Sequence, residues 1–128
     1  MNNLLDGYLA FLTDASTPDG VFTDDVILDM NVPAWRFQVQ GVDALRAARQ
    51  SAGGRWDVHA GPVTTTSDGF AVETSYDSVE DGVPMYTRSI NLVTVRDGKI
   101  SMVVYYCTGP WDPATRAQHA REAPMLAS

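Results

Sequence analysis

Apolar residues over the first dozen positions recur at the spacing of a helix. Leu4, Leu5, Tyr8, Leu9 and Leu12 share one face, and Asn2 or Asn3 stands where a cap is needed. Thr17-Pro18 has the pattern of an N-cap followed by proline at the first helical position, which predicts a short helix through about Thr23. Val26 to Val32 is apolar and β-branched enough for a strand, and Pro33 ends it. Trp35 to Gln40 reads as a second short strand or an extended loop. Gly41 breaks it, and Val42 to Ala52 reads as a helix with Leu45 and Ala48 inward, stopped by Gly53-Gly54. Beyond residue 54 the style changes to long strands: Arg55–Thr66, Phe70–Val79, Pro84–Val95 and Ile100–Cys107. Ser67-Asp68-Gly69, Glu80-Asp81-Gly82 and Asp97-Gly98 between them are hairpin signals. Trp111-Asp112-Pro113 opens a last short helix through about Arg121.

This order of elements constrains the architecture. Helices that precede a meander pack on one face of its sheet, and long twisted strands curl around them. The expected fold class is α+β: a curved antiparallel sheet wrapped around about three helices, forming a cone-shaped pocket. At 128 residues the chain reads as one domain, with residues 1–107 as core and 108–128 as a tail carrying a short helix.

Charge narrows the function classes. Nine basic side chains stand against 16 acidic ones, a net of -7, and Lys99 is the single lysine. Nucleic-acid binding and a membrane-surface role both need clustered cations, so neither is expected. The longest apolar stretch, Met102 to Cys107, is six residues, far short of a span. The N-terminal segment has no basic region of a signal peptide, and the lone Cys107 has no partner for a disulfide; both suit a cytoplasmic protein. No metal and no cofactor is expected. The two histidines lie 60 positions apart without a cysteine cluster, and there is neither a glycine-rich phosphate loop nor a nucleophile elbow.

Three segments carry a family resemblance. Val21-Phe22-Thr23-Asp24-Asp25-Val26 resembles the entry to a first strand. Gly41-Val42-Asp43-Ala44-Leu45 resembles a glycine that opens a third helix, and Val95-Arg96-Asp97-Gly98-Lys99-Ile100 resembles the hairpin before a last strand. Together, over about residues 4–107, they resemble the nuclear-transport-factor-2-like superfamily, specifically its SnoaL-like branch. The segment Tyr106 to Trp111 is similar to a subgroup of bacterial members. The superfamily includes ketosteroid isomerase, limonene-type epoxide hydrolase, scytalone dehydratase, polyketide cyclases and non-enzymatic binding modules, and fold does not choose among them.

The resemblance implies which residues face the cone: Tyr8 from the first helix, Leu28 and Met30 from the first strand, then the odd residues of the later strands. These are Arg55, Asp57 and His59; Ala71, Glu73, Ser75 and Asp77; Ser89, Asn91 and Val93; Val103, Tyr105 and Cys107. If Thr66 faces Phe70, His59 faces Asp77, and a His–carboxylate pair beside Glu73 suffices for acid–base chemistry. Glu73, Asp77 and His59 are therefore the expected catalytic residues. Tyr8, Leu28, Met30, Trp35, Asn91, Val93, Val103, Tyr105 and Cys107 are expected to bind substrate.

The known activities do not transfer. The ketosteroid isomerase base position holds Met30, although its tyrosine and protonated aspartate match Tyr8 and Asn91. Of the epoxide hydrolase set, Asp77 matches, while Ser75, Tyr105, Leu28 and Met30 do not. The expected function is a small cofactor-independent enzyme doing isomerisation, dehydration, cyclisation or epoxide opening on a hydrophobic small molecule, working as a homodimer. The alternative is a non-catalytic ligand-binding or dimerisation module, with His59 on the convex face, acids facing water or pairing with Arg55 and Arg88, and the cone filled by side chains.

Overall fold

The computed structural model describes residues 2–127. Three helices, α1 (Asn2–Asp14), α2 (Val42–Ser51) and α3 (Pro113–Glu122), accompany six strands. The strands are β1 (Phe22–Val32), β2 (Trp35–Gln40), β3 (Asp57–Thr66), β4 (Gly69–Glu80), β5 (Val83–Arg96) and β6 (Lys99–Cys107). They form one sheet in the order β2-β1-β6-β5-β4-β3. All neighbours are antiparallel except β1 and β6, which run parallel. The sheet is therefore mixed, a refinement of the expected antiparallel one. Register shifts in β1, in β3 and between β5 and β6 give it bends.

The helix expected over Thr17–Thr23 does not form. Ala15 takes a left-handed φ of 66° and ends α1, and the Asp14 carboxylate accepts from Ser16 N. The Val21 amide then closes a turn onto Pro18 O, and Val21 O accepts from Ile100 N. That sheet bond starts β1 at Phe22, four residues earlier than the apolar pattern alone indicates. The helix propensity of this short segment yields to strand pairing.

α1 and α2 cover the concave face. Tyr8, Phe11, Leu12 and Leu45 pack there against Val26, Leu28, Phe70, Val72, Val93, Val103 and Tyr105. Gly7 allows the close approach: a Cβ there would stand 2.4 Å from Val21 Cγ2. α3 belongs to the tail. Asp112 caps it by accepting from Thr115 N at 2.7 Å. Tyr86 and Trp111 exchange two backbone hydrogen bonds, and the Arg116 guanidinium lies 4.5 Å over the Tyr86 ring. The tail is thus tied to the outside of β5.

Candidate functional site

Two-residue turns decide which side chains enter the cone. Asp81-Gly82 joins Glu80 directly to Val83, so β4 and β5 partners have opposite parity, as in Val72↔Asn91 and Phe70↔Val93. Odd residues of β5 face inward, so even residues of β4 must do so too: Phe70, Val72, Thr74 and Tyr76 are all buried. Glu73 and Asp77 therefore lie on the convex face, against the expectation. Thr66 faces Gly69 rather than Phe70, and a register shift between Ala60 and Val63 realigns β3 so that Asp57 faces Asp77 and His59 faces Ser75. Asp57 and His59 are convex and exposed as well. Arg55 is also exposed and lies 3.7 Å from Asp14. The contact between His59 and Asp77 exists, Nε2 to Oδ2 at 3.5 Å, but outside the cone. Ala71 and Ser75 share that outer face.

Most of the other expected residues lie inside. Tyr8, Leu28, Asn91, Val93, Val103 and Tyr105 are buried inside, with Met30 and Cys107 packed at the edge of the core. Trp35 is the exception: 70% exposed at the β1–β2 turn, it lines no part of the cone.

Inside, the polar groups satisfy one another. Tyr8 OH donates to Asn91 Oδ1, and Asn91 Nδ2 donates to Val72 O at 3.0 Å and Thr74 Oγ1 at 2.9 Å. Thr74 and Ser89 share a hydrogen bond, as do the Tyr76 and Tyr105 hydroxyls. Among the described residues, the one buried side-chain polar atom without a partner is Thr23 Oγ1, on β1. Burial pushes the Tyr8 and Tyr105 phenols upward and Tyr76 up to about 12, so all three stay neutral at ordinary pH. Among the described residues, no carboxylate or imidazole lines the cone.

The mouth is plugged by two residues that sequence reasoning missed. Trp56 stacks on Tyr76, ring centroids 4.0 Å apart and 4° from parallel. Arg49 lies 3.5 Å over the Trp56 ring and donates to Leu12 O, Thr13 O, Gly53 O and Gly54 O. Burial pushes its guanidinium pKa down, but the four carbonyls and the ring replace its water shell. The available signal was helical spacing: Arg49 stands four residues after Leu45 on the inward stripe of α2. The cavity left behind Tyr8, Leu28, Met30, Arg49, Trp56 and Tyr105 is about 20 Å³. That is room for about one water, whereas ligand pockets start at about 300 Å³.

The convex face carries the charges and an apolar block. Glu73 reaches Arg88 at 3.4 Å. Buried Asp29 accepts from Arg36 at 2.9 and 2.6 Å, and the Arg36 guanidinium holds its carboxyl below the usual range. Between these pairs, Leu92 faces Val104 and Ile90 faces Tyr106 across the β5–β6 ladder.

No protein-family model and no curated protein matches the chain. Solved structures do. An NTF2-like protein from Anabaena variabilis superposes with a TM-score of 0.70 at 14% identity, over 84% of this chain and 86% of that one. The chain has the nuclear-transport-factor-2-like fold. A hypothetical protein of ketosteroid isomerase-like fold from Catenulispora acidiphila, solved with trimethylamine, gives 0.66 at 14% identity, over 88% and 87%. An LEH-like epoxide hydrolase from M. tuberculosis gives 0.62 at 15%, over 81% and 75%. At such identities the NTF2-like fold is what is shared, and chemistry must be argued from this chain's own residues.

Proposed function

We propose that this NTF2-like chain is a non-catalytic module that acts by self-association through the convex face of its sheet. The observation that carries this is the apolar block of Ile90, Leu92, Val104 and Tyr106. Leu92 is 44% and Tyr106 49% exposed, on adjacent strands in register. Contiguous apolar surface rimmed by polar groups marks an association site. The rim carries both signs, Asp29 with Arg36 on one side and Glu73 with Arg88 on the other. A two-fold axis through the block would set such a surface against itself. The filled cone supports the same reading, since among the described residues its interior leaves about 20 Å³ and presents neither a carboxylate nor an imidazole. Sedimentation equilibrium on the wild type and on Leu92→Glu tests it. The expected result is a dimer that the variant converts to a folded monomer; a monomeric wild type at tens of micromolar would overturn it.

A second reading keeps the enzyme: acid–base chemistry on a hydrophobic small molecule held in the cone. It is favoured by the phenols of Tyr8 and Tyr105 around the residual cavity, and by the Gly53-Gly54 loop that leads to Trp56. It requires Trp56 to swing out and a base other than the convex Glu73, Asp77 and His59. Broadening of wild-type Trp56 indole NMR signals by hydrophobic carbonyl compounds would favour it. Sharp, unmoved signals across such a panel would remove it.

A further inference from the structure

The convex face holds a second arrangement, independent of self-association. Asp57 and His59 are two residues apart on β3 and so share one face, and Asp77 stands directly across from Asp57 on β4. His59 Nε2 lies 3.5 Å from Asp57 Oδ2 and 3.5 Å from Asp77 Oδ2. Both separations exceed the 2.7–3.2 Å of an N–H···O hydrogen bond. The nitrogen thus sits between two carboxylate oxygens and is hydrogen-bonded to neither. Like charges directly opposite on a ladder repel. Every other ion-paired acid among the described residues has an arginine partner; these two have only the one imidazole between them.

The spacing has a chemical reading. Ligands of a tetrahedral ion at about 2.0–2.1 Å stand about 3.3–3.4 Å apart. Two of the edges, at 3.5 Å each, come close to that, and all three ligand atoms lie within 4.8 Å of one another. An octahedral ion of the same radius would need edges of about 2.9–3.0 Å. Calcium's longer bonds would give similar edges, but its ligands are oxygens and it leaves imidazole aside.

The geometry points to a divalent transition-metal site at Asp57, His59 and Asp77, of the zinc class, with a fourth position open to solvent. Two carboxylates and a neutral imidazole cancel the ion's charge, which would remove the repulsion across the β3–β4 ladder. The open position lies on a face where all three side chains are more than half exposed, so a water or a small anionic ligand can reach it.

The test is calorimetric titration of Zn²⁺ into the untagged full chain, with Co²⁺ absorption as a second readout. The expected result is one ion per chain with a tetrahedral Co²⁺ spectrum. Asp77→Asn and His59→Gln should each weaken binding at least tenfold, while His119→Gln leaves it unchanged. Asp77 and His59 lie on the surface and His119 is half-buried against Trp111, and matching far-UV circular dichroism will show that the variants fold. Absence of saturable Zn²⁺ binding would overturn the proposal. So would binding that survives His59→Gln, or that is lost instead in His119→Gln.

Discussion

Replacing Tyr8 by Phe removes one oxygen from the middle of the cone. Tyr8 is fully buried, and its hydroxyl is the partner of Asn91 Oδ1, itself on a side chain with no exposure. The ring still fits, so the change isolates the hydrogen bond. An acceptor stripped of its donor in a dry interior costs about 1–3 kcal/mol. For 128 residues at about 2.1 cal/mol/K each, the unfolding entropy is about 0.27 kcal/mol/K, so Tm should fall by about 4–11 °C. Calorimetry at fixed protein concentration reads this directly, because self-association would otherwise shift Tm. A cycle with Asn91→Leu sharpens the test: residues in contact couple by about 0.5–3 kcal/mol, so the double variant should lose less than the two singles together. A Tyr8→Phe protein melting within 1 °C of wild type would mean that Asn91 Oδ1 has water at hand. The dry, filled cone would then be refuted.

Three further outcomes are expected. Trp56→Ala removes the plate between Arg49 and Tyr76 and should cost about 3–5 kcal/mol, with indole restoring part of the lost Tm; no indole effect would mean that the plug does not guard an apolar space. Gly69→Ala places a Cβ 1.9 Å from Val93 O; the obstacle is backbone, so a loss above about 3 kcal/mol is expected, and a Tm within 2 °C of wild type would contradict the β4–β5 register. Asp29 has its carboxyl pKa lowered, chiefly by hydrogen bonds from Arg36 with help from Gln38 and Asn31. Its contribution is therefore complete above the unfolded value of about 3.9 and is lost as pH falls through the folded one. Asp29→Asn should lower the urea midpoint at pH 7 and leave a smaller deficit at pH 3; equal deficits at both would show that Asp29 is not linked to protons.

Local pattern was enough for most of the architecture. The helical face of Leu4 to Leu12, the breaks at Pro33 and Gly41, and the three hairpin signals each rest on interactions within a few residues, and the elements formed there. The cap at Asp112 is as local. The Thr17–Thr23 helix failed because its competitor was not local: Ile100, nearly eighty positions away, captured the Val21 carbonyl.

Facing was partly visible as well. Phe70, Val72 and Tyr76 put the apolar residues of β4 on even positions, and the two-residue turn at Asp81-Gly82 reverses parity between strands. Both signals assign Glu73 and Asp77 to the outside. The shift at Gly61-Pro62, which turned His59 outward, has no such periodic mark, because β3 is exposed over most of its length and nearly any register suits it.

Whether the cone is open or filled lay beyond any pattern. Tyr8, Tyr76 and Tyr105 come from three separate elements and Trp56 from the loop before β3, and inward-facing residues of this kind can wall a pocket or fill it. The difference is one of summed volume and mutual hydrogen bonding in three dimensions. Here Arg49 draws the Gly53-Gly54 carbonyls together beneath Trp56, and the space closes to about 20 Å³. The close approach of Asp57, His59 and Asp77 arose the same way, from a strand register that depends on the whole sheet.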